Sequence, residues 1–285
     1  MKLLRTERVN RSFMGNIGVF VVLVLVAAFM FLPMWFSIVT AFKPPEEIFL
    51  FPPRLYVENP TLNNFSQLSL VFANSWVPFS RYLFNSVFIT IVKTLFSVFV
   101  GAMAAYPFAK HRFPGKELFW SIIMVALLYQ GDVTSLPLYI IQTELGLINT
   151  IWALILPAIA SPMYMFLMKQ FMGQIPDSLL EAAKIDGAGE FVIFTRIVMP
   201  NIKPAWLTVL VLTFQGAWAA GSNGLVFDEE LKLLPSALGQ IGAAGISRQG
   251  ASAAAALLML VPPVLAFIVT QSNMLQTMAH SGIKD

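Results

Sequence analysis

The sequence predicts an all-α, polytopic integral membrane protein with six transmembrane helices. Of its 285 residues, 57% are hydrophobic and only 12% are charged, and the mean hydropathy is +0.74. Soluble domains carry about 25% charged residues, so this composition favours the membrane class. Apolar runs also recur near the roughly 20 residues that an α-helix needs to cross the hydrocarbon core. The absence of cysteine excludes disulfides and thiolate metal sites.

Six apolar runs define the expected spans. The first, about Ile17 to Phe42, is too long for a signal-peptide core and lacks a small-residue cleavage site, so we interpret it as a retained span. The other five extend over about 82–108, 118–138, 150–168, 205–220 and 253–275. The predicted organisation is an N-terminal segment 1–16, a first span 17–42, a polar loop 43–81, and a core 82–285 with polar segments at 175–204 and 221–250.

The charge distribution predicts the orientation in the membrane. Segment 1–16, the short loop after the second span, segment 175–204 and the C-terminal tail together hold eleven of the eighteen Lys and Arg residues. Short loops rich in Lys and Arg stay on the cytoplasmic side. Both termini and segment 175–204 are therefore expected in the cytoplasm, with 43–81 and 221–250 outside.

Segment 175–204 is the most polar long stretch in an otherwise apolar chain. Pro176 suits the start of a helix, and apolar residues from Leu179 to Ile185 follow at amphipathic spacing. Asp186-Gly187 predicts a turn, and a second amphipathic helix is expected from about Ala188 to Met199. Two short helices joined at a glycine between spans indicate a surface on which a partner docks. The alternative is an interfacial loop with no partner.

The order of residues in this segment resembles a known family. Glu181-Ala182-Ala183, followed after three residues by Gly187 and then by Ile197-x-x-Pro200, is similar to the EAA loop of ABC importer permeases. Ile-Asp-Gly-Ala at 185–188 resembles the carbohydrate-type subfamily, which includes the permeases of the maltose importer. The resemblance covers most of the chain. It includes Asn85-Ser86, Ala104-Ala105-Tyr106, Phe113-x-Gly115-Lys116, Leu136-Pro137-Leu138-Tyr139 and Leu145-Gly146-Leu147-x-Asn149-Thr150.

The resemblance implies the ABC importer permease fold and a role for each residue of this loop. In that family the loop is the coupling helix, which docks into a cleft on a cytoplasmic ATPase. Glu181 would meet a basic group of the ATPase, and the small Ala182 and Ala183 would let the helix pack closely. Asp186 would belong to the same ATPase-coupling surface, and Gly187 would supply the bend.

Polar and aromatic residues in the third and fifth spans are candidates for a substrate pathway, because polar groups inside spans are costly and sugars bind to hydrogen-bonding groups and aromatic rings. These candidates are Tyr129, Gln130, Asp132, Gln215 and Trp218. Two departures from the family pattern fall here: Ala219 stands where the family often has Asn, and a proline of the third span is missing around 129–132. The alternative is that Asp132 caps a helix break and Trp218 anchors its helix at the interface.

The second polar segment, 221–250, is rich in glycine and alanine and is expected to be too poor in large side chains to pack a core of its own. By resemblance, this loop reaches into the sugar cleft of an extracytoplasmic binding protein, with Gly239, Gly242 and Gly245 as contacts. The alternative is a solvated loop that only joins two spans.

The expected function is that of a permease subunit of a binding-protein-dependent ABC importer for a carbohydrate, with an oligosaccharide favoured. By resemblance, its partners are a homologous second permease, two ATPase subunits and a binding protein. ATP and Mg would bind to the ATPases, because this chain has no phosphate-binding loop. The chain itself is expected to bind no cofactor or metal and to be no enzyme.

Other functions stay open at this point. A secondary transporter could use Asp132 and Lys93 as an ion relay, but this leaves segment 175–204 unexplained. A polytopic membrane enzyme would need a polar catalytic cluster, which the sequence does not indicate. An ABC importer for another small solute, such as an amino acid, is a third possibility.

Overall fold

A computed structural model of the protein describes residues 13–73, 75–129, 131–159, 161–222, 224–243, 245 and 248–281, without the side chains of residues 13, 132 and 272–281. Every regular element among these residues is a helix, which confirms the predicted all-α class. The chain divides into two compact units. Unit 1 comprises Met1–Ser69 and Ala244–Leu257, and unit 2 comprises Leu70–Ala243 and Leu258–Asp285.

Unit 1 is built on the first apolar helix and the polar segment that follows it. Its elements are α1 (Phe13–Ala41), α2 (Pro45–Ile48) and the beginning of α3 (Asn63–Ala73). The carboxylate of the buried Glu47 accepts hydrogen bonds from the backbone N–H groups of Glu58 (3.0 Å) and Asn59 (2.9 Å). The predicted polar loop is therefore folded around a buried acid.

Unit 2 is organised around the 32-residue helix α4 (Phe79–Lys110). It is followed by α5 (Lys116–Ala126), α6 (Gly131–Glu144), α7 (Ile151–Ile159) and α8 (Pro162–Gly173), of which α7 and α8 pack against α4. Gly101 of α4 lies next to α8, where a Cβ atom would be in ordinary van der Waals contact with the Cβ of Tyr164 at 3.7 Å. Later in the chain, α12 (Lys203–Ala219) and α13 (Leu234–Ala243) also pack against α4.

Prolines divide the fourth predicted span into α7 and α8. Proline has no N–H, so it leaves the carbonyl four residues earlier without its helical partner. The buried side-chain amide of Gln142 donates to the carbonyl freed by Pro157, and the hydroxyl of Ser97 donates to the carbonyl freed by Pro162, each at 2.8 Å. These buried polar side chains therefore complete the backbone hydrogen bonding of the spans.

Four helical segments in the described part of the chain are long and apolar enough to cross a membrane. They are Met14–Ala41, Phe79–Lys110, Ile151–Gly173 and Gln249–Gln271, the last within α14 (Gln249–Ser281). A fifth exists if Glu190–Asn201 and Lys203–Ala219, which are bent by 81°, form one span. The architecture is thus that of a multi-helical membrane protein with four or five candidate spans. The count falls below six because α5 and α6 are each too short to cross alone.

Segment 175–204 forms the two amphipathic arms that its pattern indicates. The first arm is α9 (Asp177–Ile185). The second comprises α10 (Glu190–Ile193), a π-helical turn (Phe194–Val198) and α11 (Met199–Asn201). Ile193, Phe194 and Val198 are buried in one apolar cluster with residues of α4, α8 and α12. The inner faces of both arms thus belong to the core of unit 2.

The described part of segment 221–250 is folded, and its apolar residues pack against other helices of unit 2 and not in a core of their own: Val226 and Leu233 lie in one cluster with Ile89 of α4 and with Leu154 and Ile155 of α7. The segment contains a 3₁₀ turn (Glu229–Leu231) and α13, with buried apolar residues at Leu233, Leu234, Ala237, Leu238 and Ile241. Positions 234, 237, 238 and 241 share one face of a helix, so few large side chains are enough to bury that face. Most of the described part of this segment is therefore folded structure.

Candidate functional site

The first arm of segment 175–204 is a short helix with a well-defined end. Pro176 precedes it in an extended conformation, and Asp177 in the first turn and Lys184 in the last turn complement the helix dipole. Gly187 follows the helix with φ +82°, in the left-handed region that favours glycine. The N–H of Ala188 donates to the carbonyl of Ala183 (2.9 Å) and the N–H of Gly187 to that of Lys184 (3.0 Å). This is a Schellman motif, and it gives Gly187 its predicted place at the bend.

The two faces of α9 differ in exposure and in chemistry. Leu180 and Ala183 are buried against the core of unit 2. Glu181, Ala182 and Ile185 are exposed, and Ile185 has 86% of its surface open to solvent. We call Ser178, Glu181, Ala182 and Ile185, which share one side of the helix by their spacing, the outer face of α9. The predicted close-packing role of Ala183 does not fit its position, because Ala183 packs inward.

Segment 175–204 is held to the end of α4 by charged and polar side chains. The ammonium group of Lys110 donates to the carbonyl of Ile175 (2.5 Å) and to the carboxylate of Asp177 (2.7 Å). The hydrogen bond from Lys110, together with its charge, lowers the pKa of Asp177 below its usual value. The sequence did not reveal this contact, because its two residues are 67 positions apart in the chain.

A second contact joins α4 to the other arm. The hydroxyl of Tyr106 donates to the carboxylate of Glu190 (3.0 Å), and His111 Nε2 lies 3.4 Å from the same oxygen. The other oxygen of Glu190 pairs with Lys184 of α9 at 2.7 Å. Glu190 therefore connects α4, α9 and α10 in one network.

The opposite end of α4 is joined to segment 221–250 by buried neutral side chains. The side-chain amide of Asn85 donates to the carbonyls of Glu230 (2.8 Å) and Lys232 (3.1 Å). The hydroxyl of Ser86 accepts a hydrogen bond from the N–H of Leu234 at 2.7 Å. These contacts give a physical role to Asn85-Ser86, which the sequence marked only by resemblance.

A second motif fixes the beginning of the same segment. Asn149 has φ +62°, and its side-chain oxygen accepts hydrogen bonds from the N–H groups of Phe227 (3.2 Å) and Asp228 (2.9 Å). Its own N–H donates to the carbonyl of Leu225 at 2.8 Å. The left-handed conformation that asparagine tolerates thus places both its backbone and its side chain against residues 225–228.

The predicted substrate-pathway residues are not brought together by contacts in the described part of the chain. Tyr129 is exposed near the end of α5, Gln130 lies outside the described residues, and Asp132 is in the first turn of α6 with its side chain outside them. Gln215 is half-buried on α12. Trp218 is buried, its indole N–H donates to the carbonyl of Met259 (3.0 Å), and its ring stacks on Phe214. The contacts of Trp218 therefore join α12 to α14.

The predicted binding-protein contacts in segment 221–250 are all exposed residues. Gly239 and Gly242 are on the exposed side of α13, and Gly245 follows that helix with φ +93°. A Cβ atom on Gly239 or Gly245 would meet no other atom within 4 Å. Gly239 and Gly242 are thus accessible on the surface of unit 2, and Gly245 is accessible on the surface of unit 1.

The sequence matches a family model over most of its length. That family is described as binding-protein-dependent transport system inner membrane component, and the match covers residues 12–273. A probable ABC transporter permease protein, YurM of Bacillus subtilis, is 30% identical over 284 residues, covering 96% of this chain and 91% of the relative. An arabinooligosaccharides transport system permease protein, AraQ of Halalkalibacterium halodurans, is 28% identical over 281 residues, covering 96% of each chain.

A solved structure shares the fold. One chain of a bacterial ABC transporter involved in the import of the acidic polysaccharide alginate superposes with a TM-score of 0.78 at 19% identity, covering 93% of this chain and 99% of that chain. This likeness identifies the ABC permease fold, and the sequence match sets aside the secondary-transporter and membrane-enzyme alternatives. The chain belongs to the binding-protein-dependent transport system inner membrane component family, in which it is a permease subunit and not an enzyme.

Proposed function

We propose that this chain is the permease subunit of an ATP-driven importer that moves a carbohydrate, with an oligosaccharide favoured, across the cytoplasmic membrane by alternating access. The carbohydrate class is supported by the arabinooligosaccharide relative and by the alginate transporter that shares the fold. The chain would work with a homologous second permease as a heterodimer, two ATPase subunits and an extracytoplasmic binding protein. ATP and Mg would bind to the ATPases, and this chain would bind no cofactor.

The outer face of α9 is the observation that carries this proposal. It presents a carboxylate (Glu181), a small residue (Ala182) and an exposed apolar residue (Ile185) on a helix whose other side is buried. An exposed Ile next to a small residue suits insertion into a cleft, and a carboxylate suits a basic partner group. Asp186 and Gly187 complete the surface at the end of the helix.

The topology we propose has six spans and both termini in the cytoplasm. In it, α5 and α6 together form the third span, and α12 alone forms the fifth. Segment 175–204 then faces the ATPases, and segment 221–250 faces the binding protein through Gly239, Gly242 and Gly245. The excess of Lys and Arg on the cytoplasmic side supports this orientation.

The contacts of α9 suggest how the ATPases move the spans. ATP-driven closure would displace α9, and the Lys110–Asp177 ion pair and the Tyr106–Glu190 hydrogen bond would transmit this movement to the end of α4. ATP then shifts the equilibrium between inward-open and outward-open states, because the closed ATPases bind one of them better. Tyr129, Gln130, Asp132 and Gln215 are the proposed sugar contacts, and Trp218 would contribute by its ring, since its N–H is already bonded.

A charge reversal on the outer face tests the docking role. We expect Glu181→Lys to lower ATPase co-purification and ATP-dependent uptake at least about tenfold, since like charges at an interface cost several kcal/mol. The matched control is Glu117→Lys, another exposed acid, which lies in the first turn of α5 and is not part of the outer face of α9. Both variants are to be checked for membrane insertion and thermal stability.

The proposal requires that Glu181→Lys and Glu117→Lys differ in ATPase co-purification and in uptake. Loss of ATPase binding in Glu181→Lys with normal binding in Glu117→Lys supports docking through α9. Equal ATPase co-purification and uptake in both variants and in the wild type would show that this face contacts no partner.

A further inference from the structure

Unit 1 contains a cavity of about 280 Å³ at the end of α1, with a mostly apolar lining that also carries polar groups. Its walls come from the last turns of α1, the polar segment after it and the first turns of α14. The lining includes one cation, Lys43, together with Thr40, Gln249 and Ser252, and it includes no carboxylate. A cavity with this lining suits a small anionic group.

Lys43 is buried with no carboxylate at contact distance, although the hydrogen bond from the N–H of Glu58 and, to a smaller extent, the charge of Lys43 lower the pKa of the nearby Glu47. Only 2% of its surface is exposed, although lysine is almost never fully buried unless paired. Its ammonium group donates to the carbonyl of Arg54 (2.5 Å) and lies 5.6 Å from the ring centre of Phe36. Among the described residues, no carboxylate lies within 4 Å of it. An ammonium group has three donors, so two of them are left for a ligand.

The position of Lys43 is fixed by the fold. The side-chain amide of the fully buried Asn64 donates to the carbonyls of Ala41 (2.9 Å) and Lys43 (2.8 Å). Gly250 of α14 lies against this amide so closely that a Cβ atom there would overlap Asn64 Oδ1. Asn64 therefore joins the backbone of Lys43 to the first turn of α14, and both walls of the cavity are held in place.

The start of α14 adds further donors. This 33-residue helix begins at Gln249, and the first N–H groups of a helix have no partner within it and carry partial positive charge. In the described part of the chain, the side chains of Gln249 and Ser252 have no hydrogen-bond partner. The helix N-terminus and the buried Lys43 thus line the same cavity with complementary features for an anion.

The cavity lies at the level where α1 leaves the apolar part of the membrane. The apolar span ends at Ala41, two residues before Lys43. Trp35, whose indole N–H donates to the carbonyl of Leu55 (2.9 Å), marks this level as interfacial, because tryptophan is enriched there. Lipid phosphate groups occupy the same interface.

We propose that this cavity binds a phosphate group, supplied by the headgroup of an anionic lipid. Lys43 would donate to the phosphate oxygens, Ser252 and the first turn of α14 would bind its other side, and Gln249 would contact the headgroup. The site is separate from the outer face of α9, so the proposal does not depend on ATPase docking or on the identity of the sugar.

Lipid retention by the purified transporter complex tests this site. The complex is delipidated, incubated separately with phosphatidylglycerol, phosphatidylcholine or inorganic phosphate, and analysed by native mass spectrometry. We expect phosphatidylglycerol to be retained, and Lys43→Met to lower its retention about tenfold, as for a lost charge-assisted hydrogen bond. The control is Arg248→Met, which removes an exposed cation next to the start of α14 that does not line the cavity.

A second variant keeps the site testable if Lys43→Met fails to fold. Ser252→Ala removes one donor from the half-exposed wall and is expected to lower retention about threefold. Lys43-dependent binding of inorganic phosphate without retention of phosphatidylglycerol would support the phosphate site with a soluble source. Unchanged binding of both anions in Ser252→Ala and in folded Lys43→Met, or an equal loss in Arg248→Met, would overturn the proposal.

Discussion

The two ends of α4 hold their polar segments by different chemistry. At the beginning of the helix, Asn85 and Ser86 are buried and bond to backbone groups of residues 230–234. At its end, Lys110 and Tyr106 bond to the carboxylates of Asp177 and Glu190. The two carboxylates are exposed, at 76% for the Asp177 side chain and 51% for that of Glu190, whereas the Lys110 side chain is only 5% exposed and Tyr106 is buried.

This difference predicts different mobility at the two ends. Breaking a buried hydrogen bond leaves an unsatisfied group and costs about 1–3 kcal/mol, whereas exposed ion pairs contribute about 0–1 kcal/mol and are screened by salt. Residues 225–234 are therefore a fixed extension of α4. Segment 177–190 is held less rigidly, so it can move with a partner. Its contacts with Lys110 and Tyr106 still transmit that movement to α4.

The largest expected effect comes from the fixed end. Asn85→Ala removes both side-chain bonds to the carbonyls of Glu230 and Lys232, so we expect the free energy of unfolding to fall by about 2–3 kcal/mol. Chemical denaturation in detergent measures this loss. The control is Asn201→Ala, because Asn201 is exposed and its amide donates only to the nearby carbonyl of Ile197. Equal losses in the two variants would contradict the rigid attachment of residues 225–234.

A smaller effect is expected at the bend of segment 175–204. Gly187→Ala forces a left-handed conformation on a residue with a Cβ atom, which costs about 1–2 kcal/mol. Gly189→Ala is the matched control, since Gly189 has φ −72° and a Cβ atom there would meet no other atom within 4 Å. Thermal unfolding and ATPase co-purification are both measured. Gly187→Ala should be impaired in both measurements, and wild-type behaviour would show that the bend is not required.

The smallest effect is expected for the ion pair between Lys110 and the exposed carboxylate of Asp177. Because the hydrogen bond from Lys110 lowers the pKa of Asp177, this pair stabilises the fold above the usual Asp value of 3.8. The stabilisation is lost as pH falls through the lowered pKa. Asp177→Asn should therefore reduce the melting temperature slightly at pH 7 in low salt, and the difference should vanish in acid or in high salt. A large difference that persists in about 1 M salt, where charges are screened within a few Å, would mean that the pair is a rigid anchor.

Local pattern predicted much of the fold and the turn chemistry of the site. Hydrophobic runs gave the helices near their observed bounds, and Asp186-Gly187 marked the bend because a left-handed residue after a helix favours glycine. The division of the fourth predicted span into α7 and α8 escaped detection, since prolines within an apolar run do not reveal which buried side chains will bond to the freed carbonyls. The division of the third span between α5 and α6 was considered only in the alternative that Asp132 caps a helix break.

Long-range contacts could not be predicted from one sequence. The motif Asn85-Ser86 was identified only as a resemblance, because its partners lie about 145 residues further along the chain. Ala183 was assigned outward with Ala182, although the turn of about 100° between adjacent helical residues places Ala183 on the buried side of α9. The orientation of α9 follows from which side the core covers, and this depends on α4 and α8.

Cysteine protection tests the central claim, that the outer face of α9 docks the ATPases while the far end of α4 does not. The chain has no cysteine, so Ile185→Cys and Gly239→Cys can each be labelled alone with an impermeant maleimide. In inverted vesicles, Ile185→Cys should react without ATPase subunits and be protected when they bind. In intact cells stripped of the outer membrane, Gly239→Cys should react whether or not the ATPases are present. Labelling of Ile185→Cys that the bound ATPases leave unchanged would contradict the account.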